Sequence, residues 1–507
     1  MNHLTTDYLV IGAGASGMAF ADTLLAETDA HITIIDRHAK PGGHWNDAYS
    51  FVTLHQPSSF YGVNSSELSS RSKDTHGVNK GLYSLASGTE VSSYYERVMN
   101  QTLLPSGRVS YHPMCDYRGD GRFVSILSGA ETQVTVRKKT VDSTYFGPTV
   151  PSTHTPKFKV AADAWMVSPN ALAQLWRAPR ASDSKAGRER PKNFTIIGAG
   201  KTAMDVGVWL LNAGAAPETI SWVMPRDSWL VNRLQTQPGL DFFDEAIGGQ
   251  ADQMEAMAKA TSIADLFERL EACEAMLRIH TDQTPTMFHY ATISKAEVES
   301  LRRITNVIRK GRVQAIEANA LVMDGGRVEL PPHTLCIDCT ASAVEKRPAP
   351  LQPVFEGNKI LLQMVRIPMP SFSAALIAYV EAHYGNDAGD EGAASDAKKN
   401  QLCGAVPFPD SLVGYVASTL GNMRNQFVWS QDKTLRTWTR NSRLDGYAKV
   451  VAAVPPEDAA KQAVLERLKT HAKAAVGNMP KLMAGALRET PPRLKTPNSP
   501  PAVSPTL

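Results

Sequence analysis

The chain has 507 residues, 43% hydrophobic and 20% charged, with 35 glycines and 32 prolines. These are ordinary globular values; they exclude a collagen-like, coiled-coil or wholly disordered chain and leave room for roughly two to four domains. A formal net charge of +3 creates no strong field, so neither nucleic acid nor an anionic membrane is expected as the main partner.

The first element in chain order is a short β-type run, Tyr8 to Ile11, with no basic region ahead of it to suggest a secretory signal. It leads into Gly12-Ala13-Gly14-Ala15-Ser16-Gly17 and then a helical pattern from Met18 to Leu25. Strand, G-x-G-x-x-G and helix in that order form the dinucleotide fingerprint. Gly12 allows the tight turn, Gly14 lets a pyrophosphate approach the backbone, and Gly17 lets the helix pack on the strand. The N–H groups of the helix start at Ala15 and Ser16 are left to face phosphates. The next strand, His31 to Ile35, ends at Asp36 followed by Arg37, where a ribose-binding carboxylate is expected.

A second fingerprint runs from Phe194 through Gly198-Ala199-Gly200-Lys201-Thr202-Ala203 into another helix. Ala203 replaces the third glycine, at a position that needs only a small residue. Lys201 and Thr202, inside this turn, are expected to meet the phosphates. Its second strand, Thr219 to Met224, ends in Pro225-Arg226 instead of an acid. A cation there accommodates a 2′-phosphate, which favours NADP over NAD; a merely solvated Arg226 is the alternative.

Between the fingerprints, Pro151 to Lys192 reads as an interdomain crossing with a solvated basic stretch from Arg177. Residues Asp244 to Leu277 have helical spacing, and the stripe of Met254, Met257 and Met276 reads as core. Cys336 and Cys339 lie in an apolar strand that is expected to return to the first sheet at Leu335. They read as buried thiols, with redox chemistry as the alternative and no partners to complete a metal site. Five scattered cysteines suggest a reducing compartment, and the cytoplasm is expected. Phe372 to Val380 is the longest apolar run and falls short of a membrane span, Gly385 to Asn400 reads as a flexible loop, and Thr490 to Leu507 as a proline-rich disordered tail.

These motifs resemble the two-dinucleotide-binding-domain flavoproteins, and within them the single-component flavin-dependent monooxygenases: the flavin-containing, Baeyer–Villiger and N-hydroxylating groups. The family's G-G-x-W element is matched by Gly42-Gly43-His44-Trp45, its basic residue after the second NADP-domain strand by Arg226, and a T-L-x-x-P-x-S segment by Thr53-Leu54-His55-Gln56-Pro57-Ser58-Ser59. The interdomain F-x-G-x-x-x-H signature is stretched: Phe146 and Gly147 are followed by His154, seven residues after the glycine where the family has four.

The resemblance implies FAD on the first fingerprint and NADPH on the second, with Gly43, His44 and Trp45 beside the flavin and His55 and Gln56 as catalytic candidates. It implies an α/β fold of two Rossmann-like domains, one inserted in the other, plus a helical C-terminal region. The expected partition is an FAD domain at 1–160 and 331–428, a linker at 161–192, an NADP domain at 193–330 with a helical elaboration at 244–300, and C-terminal helices at 429–489 before the tail at 490–507. The implied activity is oxygenation of nitrogen, sulfur or a ketone of a small molecule by O2 through a C4a-(hydro)peroxyflavin. The alternatives are an FAD-dependent oxidoreductase or oxidase without oxygen insertion, and a flavin-bound redox sensor. Substrate and oligomeric state stay open.

Overall fold

The computed structural model describes residues 1–68, 70–176, 191–342, 344, 350–385 and 392–489. The first fingerprint strand extends over Asn2–Ile11 and pairs in parallel with Ile32–Ile35 on one side and Glu131–Asp142 on the other. Central parallel strands are covered on both faces, so Leu9 and Val10 are fully buried. Val109–His112 adds the next parallel strand beyond Ile32–Ile35. The fingerprint helix Ala15–Glu27 shares its core with helix Pro370–His383, where Phe372 and Leu376 are buried beside Met18 and Phe20. The apolar run at 372–380 is therefore a core helix. Among the described residues, no helix is long and apolar enough to cross a membrane.

The second sheet is parallel throughout, in the order Asn306–Ile308, Ile220–Val223, Asn193–Ile197, Thr334–Asp338, Met166–Val167. This corrects the expectation for Leu335: the strand Thr334–Asp338 pairs with Asn193–Ile197 and does not return to the first sheet. A fully buried apolar strand suits the centre of either sheet, and nothing local in it specifies which. The chain rejoins the first sheet through Phe355–Glu356 and Lys359–Leu361, the latter paired in parallel with Glu131–Asp142. Part of the stretch read as a linker is likewise structural, since Met166–Val167 forms the sheet's edge.

The elaboration contains helices Gly249–Lys259 and Ile263–Ala272, and its strands Met276–Leu277 and Met287–Ile293 flank the preceding strand Ser228–Asn232 in a three-stranded sheet. Met257, Leu266, Leu270 and Met276 are buried with Tyr415, Ala475 and Met479, so the methionine stripe is core. Its cover comes from the C-terminal region, where Leu412–Gln431 and the long helix Ala459–Glu489 pack over it. The C-terminal helices thus begin at Leu412, earlier than 429.

The loop expected at 385–400 is corrected over its second half. Ala393–Leu402 is a helix whose Lys399 is only 2% exposed and donates to Glu381 at 2.7 Å. A lysine in a Gly-Asp-Ala-rich stretch reads as solvated; a buried carboxylate on another helix reverses that. The basic stretch from Arg177 to Arg190 and the tail at 490–507 lie outside the described residues.

Candidate functional site

The two glycine turns sit at the carboxyl ends of their central strands, where open parallel sheets place ligands. In the first, Gly12 has φ +97°, and Ser143 donates to the carbonyls of Ile11 and Gly12 at 2.6 and 2.9 Å. A Cβ on Gly17 would fall inside the carbonyl oxygen of Gly12, so only glycine fits. Helix Ala15–Glu27 starts on Gly14 with no side-chain cap, leaving the N–H groups of Ala15 and Ser16 for an anion. Gly43, at φ +57°, closes over this turn: a Cβ on it would lie 2.9 Å from the Cα of Gly14. The two glycines therefore approach backbone to backbone.

Asp36 stands at the strand end as expected, but its carboxylate is 5% exposed and already engaged. It accepts from the N–H of Ala13 at 2.6 Å and from the N–H of His38 at 2.7 Å, with His38 Nδ1 at 2.8 Å. The other ring nitrogen of His38 is 2.8 Å from Asp47. The hydrogen bond to Asp36, helped by Asp47, pushes His38 up to about 9, so the ring is charged at neutral pH. Sequence reasoning missed His38; its spacing of two from a strand-end acid was a usable local signal. Arg37 is exposed beside it.

The segment after Gly43 bridges the modules. His44 stacks on Trp45 at 5.4 Å, and burial pushes its imidazole down to about 4. Trp45 donates to the Tyr61 hydroxyl at 2.8 Å and packs on the first core. Tyr49 donates to Asp205 of the second module at 2.7 Å, and Phe51 stacks on Trp209 at 5.0 Å. His55 follows with its Nε2 3.9 Å from Asp205 and its side chain 42% exposed. Crowding around the ring, and then the charge of Lys201, push His55 down to about 4. Gln56 is half-buried, and its amide has no hydrogen-bond partner among the described residues.

In the second turn Gly198 has φ +124°, its carbonyl accepts from the indole of Trp222 at 2.7 Å, and a Cβ on it would lie 2.7 Å from the carbonyl of Cys339. Ala203 is fully buried, as its packing role requires. Gly200 differs: nothing lies within 4 Å of where its Cβ would sit. Helix Lys201–Asn212 starts on Gly200 without a side-chain cap, and Thr202 is half-buried in its first turn.

Lys201 has partners within the protein. Its ammonium bonds Asp205 one turn along and lies 3.6 Å from Glu297, so two carboxylates already hold it. Glu297 reaches this point through a capping box with Ser294, and it also bonds Arg233, which is 1% exposed. Arg226 is exposed at the strand end. An acid does follow, one residue later: Asp227 is buried and held by Arg309 at 3.2 and 3.0 Å and by His280 at 3.1 Å. Burial opposes its ionisation, but those two partners outweigh burial and keep the carboxyl below its usual range. A carboxylate so neutralised does not cancel Arg226.

The stretched signature also finds a place: His154 Nε2 is 3.1 Å from Thr340 and 3.8 Å from Asp338 at the end of strand Thr334–Asp338. Cys336 and Cys339 are free and buried, and burial pushes Cys336 up to about 12. No group of metal-ligating side chains occurs among the described residues.

The model of an NAD(P)-binding Rossmann-like domain matches residues 10–57. The chain is 41% identical over 490 residues to uncharacterized proteins of Mycobacterium tuberculosis and Mycobacterium bovis, covering 97% of this chain and 87% of theirs. The chain belongs to the family of these mycobacterial proteins. Among solved structures it is similar to a flavin monooxygenase mutant from Stenotrophomonas maltophilia, at 13% identity and TM-score 0.39 over 84% of this chain and 98% of that one. It is also similar to OTEMO in complex with FAD and NADP, at 14% identity and TM-score 0.45 over 74% and 83%.

Proposed function

We propose that this member of the mycobacterial family is an NADPH-dependent flavoprotein monooxygenase that uses O2 to oxygenate nitrogen, sulfur or a ketone of a small molecule. What carries the reading is the pairing of two glycine turns, each at the end of a central parallel strand of its own sheet, joined by the 43–56 segment through the 2.7 Å bond from Tyr49 to Asp205. The first turn suits FAD: Gly12, Gly14, Ala15, Ser16, Gly17 and Gly43 would hold its pyrophosphate. Asp36 and Arg37 would stand at the ribose, where Asp36 has only the lone pairs left by Ala13 and His38. The open cradle over Gly200, with Gly198, Thr202 and the exposed Arg226, suits NADPH and its 2′-phosphate. Lys201 then acts as a counter-ion inside the protein.

Bound FAD would supply hydride acceptance and oxygen activation. The chain's own residues do the rest. Trp45, fixed by Tyr61, and His44 form an apolar rim that excludes water. His55 is neutral at physiological pH and can accept a proton at its open ring. Gln56 has an uncommitted amide to donate to a developing negative charge.

Stopped-flow mixing of NADPH-reduced protein with oxygen tests the reading. The expected result is reoxidation in two spectrally distinct steps, with an amine, thioether or ketone oxidised. Gln56→Leu should raise peroxide release per NADPH consumed by roughly tenfold or more, the usual scale for loss of a positioned donor. Single-step reoxidation with stoichiometric peroxide and no oxidised substrate makes the protein an oxidase or reductase. Absence of NADPH turnover makes it a sensor.

A further inference from the structure

Two buried charges, Arg233 and Glu297, and two half-buried ones, Lys201 and Asp205, lie behind His55. Lys201 bonds Asp205 and approaches Glu297, Glu297 bonds Arg233, and Arg233 continues to Asn79 of the first module at 2.5 Å. Taking Arg233 and Glu297 out of water is expensive, and apolar residues of the same volume would pack at least as stably there. Such a cluster beside a part-exposed histidine is where a functional group is expected. The ladder ends on Asp205, whose two oxygens have different duties. Oδ1 faces Lys201, while Oδ2 accepts from Tyr49 at 2.7 Å and lies 3.9 Å from His55 Nε2.

We propose that Asp205, on the helix of the second module, is the positioning residue for His55 of the first, with Tyr49 and Lys201 setting how much of its charge the ring feels. This rests on the functional reading above only in making His55 a working group. The charged groups facing the ring are Lys201 and Asp205 from helix Lys201–Asn212, Arg233 from the 233–236 turn and Glu297 from helix Lys295–Arg302. Asp205 and Glu297 favour the protonated ring, and Lys201 and Arg233 oppose it. Tyr49 adds no charge. Its hydroxyl occupies Oδ2 and thereby competes with the ring for the same lone pairs.

The sign of each change follows. Tyr49→Phe frees Oδ2 for His55 and should raise the pH at which the ring protonates. Lys201→Met removes an opposing cation and should raise it further, although it strands a buried carboxylate and can lower stability. Tyr49→Phe deletes one hydroxyl and serves as the main variant, with Lys201→Arg as the charge-preserving control.

Carbethoxylation of His55 by diethyl pyrocarbonate, followed by peptide mass spectrometry of the full chain between pH 5 and 8, reads the neutral ring directly. The wild-type rate at His55 should be nearly flat over that range, and in Tyr49→Phe it should fall by about threefold at pH 5 relative to pH 7. An unchanged profile in Tyr49→Phe overturns the proposal. So does a His55 unreactive at every pH, because the proposal needs a ring open to solvent. The same variants in NADPH-driven reduction should show a matching shift in pH profile. A shift in modification without any NADPH reduction in wild-type protein would reject the functional reading and leave the Asp205–His55 coupling standing.

Discussion

The two glycine turns share a motif and differ in what surrounds them. The first is enclosed: Ser143 caps its carbonyls, Gly43 lies against Gly14, and Asp36 folds back onto Ala13 and His38. The second is braced from beneath by Trp222 and Cys339 but open above Gly200, with Arg226 exposed at its rim. One local pattern thus supports two tasks, because the ligand-facing side is decided by residues outside the pattern. An enclosed turn suits a ligand that stays, and an open one suits a ligand that comes and goes.

The sharpest way to break this comparison is at the third glycine. Gly17→Ala places a methyl inside the Gly12 carbonyl, in a turn too tightly packed to yield. It should cost about 3 kcal/mol or more, at the upper end of overpacking effects, and lower Tm in a circular-dichroism melt. The mirror change, Ala203→Gly, only loosens the second helix and should cost about 1 kcal/mol. If the two changes proved equal, the first turn would not be the more tightly built.

At the strand ends the contrast is between a sealed acid and an open cation. Arg226→Ala should raise the KM for NADPH by the loss of a charge-assisted pair, on the order of 1.5–3 kcal/mol, and leave NADH nearly unchanged. Flavin reduction with each coenzyme measures it. Equal losses would mean that Arg226 does not see a 2′-phosphate.

These contrasts were only partly legible beforehand. The need for glycine at 17 follows from spacing because its nearest contact, the Gly12 carbonyl, lies within the same turn. The carboxylate partners of Lys201 were not legible, because Glu297 is far away in sequence and arrives by a capping box on another helix. Strand Thr334–Asp338 was placed in the wrong sheet because a continuously apolar strand carries no mark of its neighbours. The helix at Ala393–Leu402 was missed because composition cannot show that Lys399 meets a buried Glu381. The enclosure of Asp36 was within reach, since His38 is only two residues away.

That enclosure has its own pH signature. His38 is raised from an ordinary 6.5 to about 9 by Asp36, with Asp47 contributing. A group whose folded value is raised stabilises fully below its unfolded value and loses that contribution as pH rises through the folded one. Stability should therefore decline between pH 6.5 and about 9 by an amount on the order of 1 kcal/mol, given the partial exposure of the ring. His38→Gln should remove that slope in Tm measured across the range. A wild-type slope that persists in the variant would assign it to another group.

The smallest expected effect on stability is the most informative about the open turn. Gly200 has φ −87° and ψ −178°, a conformation open to any residue, and free space where a Cβ would go. Gly200→Ala should leave stability within about 0.5 kcal/mol of wild type or raise it slightly, because alanine restricts the unfolded chain. The added methyl nevertheless occupies the place where a pyrophosphate would approach the uncapped helix start, so KM for NADPH should rise while flavin retention is untouched. A fall in Tm would show that the turn is packed after all. An unchanged KM would show that no phosphate lies over Gly200, and the second turn would then lose the exchangeable ligand that distinguishes it from the first.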